Sequence, residues 1–146
     1  MPAPDADAAA LCRACGMCCD GSLFDRVDLE RDERAPARRR GLRVLPGGRS
    51  FEQPCAAHRP GVGCACYDAR PRACASFTCR LLDRLQRHDV AVADAVAAVL
   101  RVRDLVASLQ RARVDPADLD RDDADPALRA AYDELMRRLG DDLARA

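Results

Sequence analysis

Two stretches in the C-terminal part of the chain repeat their apolar residues at the period of a helix. Val92, Val96, Val99, Val102, Val106 and Leu109 recur every three or four positions, which predicts one long amphipathic helix with a buried stripe. Leu128, Tyr132, Leu135, Leu139 and Leu143 repeat the pattern. Asp125-Pro126 opens this second helix, as an N-cap followed by proline at the first helical position. The acidic linker between them contains Asp115-Pro116, a start for one further turn. Neither stripe carries a candidate catalytic group, so both are expected to serve a packed helical hairpin or an interaction face.

The N-terminal half is patterned differently. Leu42-Arg-Val-Leu45 alternates, Pro46-Gly47-Gly48 turns and Arg49-Ser-Phe51 resumes, which predicts a β-hairpin. Leu23 to Val27 and Gly63 to Tyr67 read as further short strands. Asp28 is read as the cap of a brief helix from Leu29 to Arg34, Pro36 and Arg38 to Arg40 as a solvated connector, and the chain from Ala69 onward as helical. Residues 1–10 read as a disordered tail. With no basic start and no run of Leu, Ile or Val, the tail is expected to be neither a secretory signal nor an anchor.

Composition narrows the class. The 146 residues suit a single modest domain, which buries roughly 70% of its unfolded surface. Two tyrosines, three phenylalanines and no tryptophan leave little apolar area per helix, so a metal cross-link would help hold the fold. Every basic residue is arginine and the formal net charge is zero. The arginine usage reads as compositional bias, and the charge balance argues against a nucleic-acid partner. The most apolar stretch, Val90 to Leu109, is interrupted by Asp94, Arg101, Arg103 and Asp104, short of the roughly 18 apolar residues of a membrane span. A cytoplasmic protein is expected, in which cysteines are more often metal-binding or catalytic than disulfide-bonded.

Nine cysteines change the picture most. Four stand in Cys12-x-x-Cys15-x-x-Cys18-Cys19, with Gly16 allowing a tight turn. Cys55, Cys64, Cys66, Cys74 and Cys79 follow downstream. Zinc–sulfur bonds of ~2.3 Å require ligand sulfurs about 3.8 Å apart, which a Cys-x-x-Cys turn supplies. Cys18 and Cys19 point to opposite faces of an extended segment. Cys74 and Cys79 lie ~140° apart on a helix, so a shared centre needs the helix to break between them. Cys-x-x-Cys-x-x-Cys also opens the bacterial ferredoxin run, but Cys55 is preceded rather than followed by proline, so that motif is not met. Zinc and iron or an iron–sulfur cluster both suit soft thiolates. With cysteines in surplus, His58 and His88 are not read as ligands.

The order Cys12-x-x-Cys15-Gly16-x-Cys18-Cys19, Pro54-Cys55, Gly63-Cys64-x-x-Tyr67, Arg70-Pro71-x-x-Cys74-x-x-Phe77-x-Cys79 resembles the YkgJ-type cysteine-cluster (CxxCxxCC) family, associated with zinc or iron chelation. The resemblance runs from Cys12 to about Cys79 and leaves the C-terminal helices outside. It implies metal ligation by Cys12, Cys15, Cys18, Cys19, Cys55, Cys64, Cys74 and Cys79. Cys66 stands where the family usually has an aliphatic residue and is expected to be a bystander. Ala75 and Thr78 replace a basic residue and a proline. Tyr67 and Phe77 are expected to form an apolar shell around the site. Arg70 is expected to bond a sulfur or carboxylate, and Arg13, Arg59, Arg70, Arg72 and Arg80 to help offset thiolate charge.

The expected fold is mainly α with a small irregular or β cysteine-rich metal-binding head: an α+β arrangement of a short hairpin and C-terminal amphipathic helices. The head spans 11–88, and a helical extension over 89–146 packs on it and offers a face to a protein partner. The expected function is cytoplasmic metal binding in a structural or accessory role. A metal-dependent enzyme of methyl transfer or redox chemistry is the alternative, since the cluster also resembles part of flagellin lysine methylases, and metal delivery is a third. Against an enzyme, the chain lacks a Gly-rich cofactor loop, a Ser/His/Asp set and paired acids in an apolar setting.

Overall fold

Alanine decides the first helix. A computed structural model describes residues 6–146, and Ala6–Cys15 forms α1. Its alanines carry the highest helix propensity, and Ala8, Leu11 and Cys15 are buried at helical spacing. The tail expected to be disordered is thus corrected to helix over 6–10, and its first five residues lie outside the described ones. The chain divides into two compact units, Cys12–Phe77 and the residues up to Leu11 together with Thr78–Ala146.

In the unit Cys12–Phe77, β1 (Arg26–Asp28) pairs antiparallel with β2 (Ser50–Glu52) in the register Arg26↔Glu52, Val27↔Phe51 and Asp28↔Ser50. The expected hairpin turn forms, with the Leu45 N–H donating to Ser50 O at 2.9 Å. Its first arm makes only an isolated Val44↔Phe51 bridge. Leu42 is held instead by a bond from its N–H to Ala37 O at 3.1 Å. Asp28 remains in β1, and the cap expected of it falls to Glu30, which forms a reciprocal capping box with Glu33 at the turn Arg31–Glu33. Helix α2 (Arg34–Arg39) follows. It runs through Pro36, which the first turn of a helix tolerates, so the expected connector is helical.

Leu29, Ala37, Leu42, Phe51 and Ala57 form the core of this unit. A second strand pair, β3 (His58–Arg59) with β4 (Gly63–Cys64), lies beyond it in sequence. Helix α3 (Arg72–Ser76) ends where Phe77 turns extended, and the Phe77 ring meets Phe24 edge-on at 5.2 Å.

The other unit contains α4 (Arg80–Gln86), α5 (Val92–Arg111) and α6 (Pro126–Arg138), with a wide turn over Leu139–Leu143. Asp125 Oδ1 accepts the Ala127 N–H at 2.8 Å, the N-cap read from sequence. Asp115 Oδ1 caps the 3₁₀ turn Pro116–Asp120 in the same way at 2.9 Å. The buried stripe of α5 is Ala95, Val99, Val102, Leu105 and Leu109. Val92, Val96 and Val106 are only half-buried, so the stripe is turned from the expected one toward a small alanine and a leucine.

Helix α4 groups with α5 and α6 rather than with the head, because Leu81 and Leu85 are buried and the Arg80 N–H donates to Ala144 O at 2.9 Å. The compact-unit boundary accordingly falls after Phe77, not near residue 88. Glu134 bridges α5 and α6, accepting from Arg101 at 2.6 and 3.0 Å and from Arg138 at 2.9 Å. Among the described residues no helix is long and apolar enough to cross a membrane.

Phe51 is 1% exposed, and Phe51→Ala is expected to destabilise its unit by about 3–5 kcal/mol in urea unfolding. Hydrogen bonds from Arg101 and Arg138 hold the Glu134 carboxyl down from 4.5 to about 2. The stability it adds is therefore present above about pH 4.5 and lost as pH falls through about 2. Glu134→Gln should flatten the acid limb of the thermal midpoint over that window, and an unchanged limb would show that the bridge contributes nothing.

Candidate metal centre

Hydrogen bonds to main-chain carbonyls join the two cysteine blocks. The Cys55 N–H donates to Cys19 O at 2.7 Å, and Gln53 Nε2 donates to Cys18 O at 2.9 Å. The Gln53 N–H donates to Asp25 O at 2.9 Å, so the loop leaving β2 is laced to the segment that follows the first block. Cys15 is buried, Cys12 exposed, and the other seven are half-buried.

The second block is held by the β3–β4 pair. His58↔Cys64 are direct partners, and the Ala65 N–H donates to Ala57 O at 2.8 Å, continuing the pairing past Cys64. Cys64 and Cys66 approach to 3.6 Å between sulfurs. Gly63 has φ +112°, and a Cβ there would come within 3.1 Å of Arg13 Cγ, so any side chain at this position would be strained. Cys55, Cys66 and Cys74 all pack against the core of Leu29, Ala37, Leu42, Phe51 and Ala57.

Cys74 is positioned by charge. Arg72 makes two hydrogen bonds to the Asp32 carboxylate, 3.0 and 2.7 Å, and the Arg72 N–H donates to Glu33 Oε1 at 2.7 Å. The hydrogen bonds from Arg72 hold the Asp32 carboxyl below its ordinary range. These contacts fix the start of α3, two residues before Cys74. Arg70 lies 3.8 Å over the Tyr67 ring and donates to Tyr67 O at 3.0 Å.

The sulfurs act on one another electrostatically. Burial first, then the charges of Cys55, Cys64, Cys74 and Cys12, push the Cys19 thiol from 9.0 up to about 12. Burial, then Cys55, Cys64 and Cys66, push Cys74 up to about 12, with Arg70 opposing. Cys66 is raised to about 11 by burial and by the hydrogen bond and charge of Cys64, with Arg40 opposing. Burial also raises Cys55, but the backbone N–H groups of Ala57 and His58 and the charge of Arg43 pull it back. Thus Cys12 and Cys19 from one block and Cys55, Cys64, Cys66 and Cys74 from the other lie within electrostatic reach of their neighbours.

Cys79 falls in the other unit. There it is the N-cap of α4, its sulfur accepting the Leu82 N–H at 3.4 Å, and it bridges Arg145. The helix break between Cys74 and Cys79 is present, at Phe77. Among the described residues, no group of three or more His, Cys, Asp or Glu side chains is placed to hold a metal ion.

Thiolate sulfur is the donor that soft cations take. Thiols gathered under burial and mutual repulsion resist ionising by themselves, and zinc or an iron–sulfur cluster favours the ionised sulfur. Arg40 and Arg43, whose charges act on Cys66 and Cys55, are not among the arginines expected to offset thiolate charge. Arg43 lies on the alternating segment before the turn, whereas nothing local marks Arg40. The Asp32–Arg72 pair spans 40 residues and left no local signal either. No protein-family model, no curated protein and no solved structure matches this chain.

Raised thiols give the metal-free, reduced unit a defined alkaline limit. Their contribution to stability is complete below 9.0 and is lost as pH rises toward about 12. Circular dichroism of the reduced, chelator-treated protein should show a falling unfolding midpoint across that interval, less steep in Cys74→Ala. A midpoint independent of pH there, or an equal slope in the variant, would contradict the mutual burial of these sulfurs.

Proposed function

We propose that the chain is a cytoplasmic metal-binding protein of the YkgJ-type cysteine-cluster kind, holding zinc or iron, as an ion or iron–sulfur cluster, in a structural or accessory role. The observation that carries this reading is the closure of Cys19 on Cys55, which draws sulfurs from two distant blocks toward Cys64 and Cys74. Cys12, Cys19, Cys55, Cys64 and Cys74 are the residues that bind, and Cys15 and Cys18 share the turn that presents Cys19.

Each side chain has a definable part. The backbone N–H groups of Ala57 and His58 and the charge of Arg43 favour the Cys55 thiolate against its burial. Cys74 is held by a helix start anchored at Asp32 and Glu33. Arg43 and Arg70 offset negative charge at Cys55 and Cys74. The bound metal would supply cross-links between segments that the small core holds only weakly.

Protein purified anaerobically is expected to carry zinc or iron by elemental analysis, colourless in the first case and brown with visible absorbance in the second. Cys55→Ser and Cys74→Ser should each lower metal affinity by about tenfold or more. Chelation should lower the unfolding midpoint of the wild type but not of these variants. A reduced wild-type protein that contains neither metal, and whose midpoint a strong chelator leaves in place, overturns the reading.

A further inference from the structure

We infer that Cys64 and Cys66 form a reversible redox-active dithiol, which closes to an intramolecular disulfide by exchange with a small-molecule disulfide of the glutathione class. The inference stands on the placement of these two sulfurs and needs no metal. It departs from the sequence expectation that Cys66 is a bystander.

The backbone sets the spacing. Cα atoms two residues apart on a straight strand lie up to about 7 Å from one another, at the outer edge of the roughly 4.4–6.8 Å that a disulfide bridges. Here β4 ends at Cys64, and Ala65 and Cys66 lie in a turn, which shortens that span. The two sulfurs stand 3.6 Å apart, in direct contact, and side-chain rotation covers the remaining distance to a bond of ~2.0 Å.

Both ends of the turn are pinned. Ahead of it, Cys64 pairs with His58, and the Ala65 N–H donates to Ala57 O at 2.8 Å. Behind it, Cys66 opens the 3₁₀ turn Tyr67–Ala69, with the Ala69 N–H donating to Cys66 O at 3.0 Å. Cys66 also packs against the core of Leu29, Ala37, Leu42, Phe51 and Ala57. The fold therefore holds this pair at a high effective concentration. Both cysteines are half-buried and Ala65 between them is exposed, so a small disulfide can reach the pair from solvent.

The exchange balances without any further reactant. The Cys64 thiolate attacks one sulfur of the small disulfide, forms a mixed disulfide and expels the first small thiolate. The Cys66 thiol then loses its proton, and its sulfur attacks Cys64, closing the protein disulfide and expelling the second small thiolate. The cysteine pair is oxidised by two electrons and the small disulfide is reduced to two thiols. A ring that spans a single intervening residue gains little chain entropy, so an excess of small thiol reopens it.

The test uses the reduced full-length chain, freed of bound cations by a chelator and shown to be folded by circular dichroism. It is equilibrated with oxidised and reduced glutathione in varying ratio, quenched with acid, alkylated with N-ethylmaleimide and mapped by peptide mass spectrometry. Cys64 and Cys66 should escape alkylation together in a peptide lighter by two hydrogens, with Cys55 and Cys74 alkylated, and reduced glutathione should reverse the change. The equilibrium constant for closure should fall by about tenfold or more in concentrated urea, which keeps the sequence spacing and removes the turn. Cys66→Ser should leave a lasting glutathione adduct on Cys64 that the wild type resolves. Alkylation of both cysteines at every ratio, an equal constant in urea, a stable Cys64 adduct in the wild type, or preferred pairing of either residue with another cysteine would each overturn the inference, and none of these results bears on whether the chain binds metal.

Discussion

The hydrogen bond from the Cys55 amide to the Cys19 carbonyl, 2.7 Å long, is the constraint on which the cysteine-bearing unit depends. Joining segments so distant in sequence carries a loop-closure cost that grows slowly with length. The cost is shared with the neighbouring Gln53 bond to Cys18, which spans 35 residues. Both sit directly after β2, whose Phe51 is the most deeply buried aromatic ring of the chain. Core packing therefore fixes β2, β2 delivers Gln53 and Cys55, and these two fix the first cysteine block.

Packing and charge act in opposite directions at this site. Folding places sulfur beside sulfur and removes water, and both changes disfavour the thiolates that a metal requires. The unit supplies partial relief through the N–H groups of Ala57 and His58 and through Arg40, Arg43 and Arg70. A cation would complete that compensation, which links the electrostatics of the fold to the proposed function.

Local chemistry was legible and remote chemistry was not. The caps at Asp115 and Asp125, the two long helices and the turn at Gly47-Gly48 follow from signals within a few residues. Helix α1 was missed because an Ala-rich segment with little bulk resembles a tail by composition, although Ala8, Leu11 and Cys15 mark its buried face. The cap at Glu30 displaced the one expected at Asp28 because strand pairing claimed Asp28 first. For the site, the cysteine spacing was informative about clustering, but the clamp of Asp32 on Arg72 and the shared backing of Cys55, Cys66 and Cys74 arise only from tertiary structure. Arg70 illustrates the same limit: the sequence marks it as a neighbour of the site, and the fold commits its side chain to the Tyr67 ring and carbonyl.

The absence of lysine, first a matter of composition, acquires a physical meaning beside Cys55, Cys66 and Cys74. A guanidinium keeps its proton at every pH a folded protein experiences, whereas an ammonium can surrender one in an electropositive or dry setting. The arginine counter-charge around the sulfurs is consequently constant, and no lysine there can buffer the exchange. Calorimetric enthalpies of metal uptake in buffers of differing ionisation heat would thus count protons leaving sulfur with no guanidinium contribution to subtract.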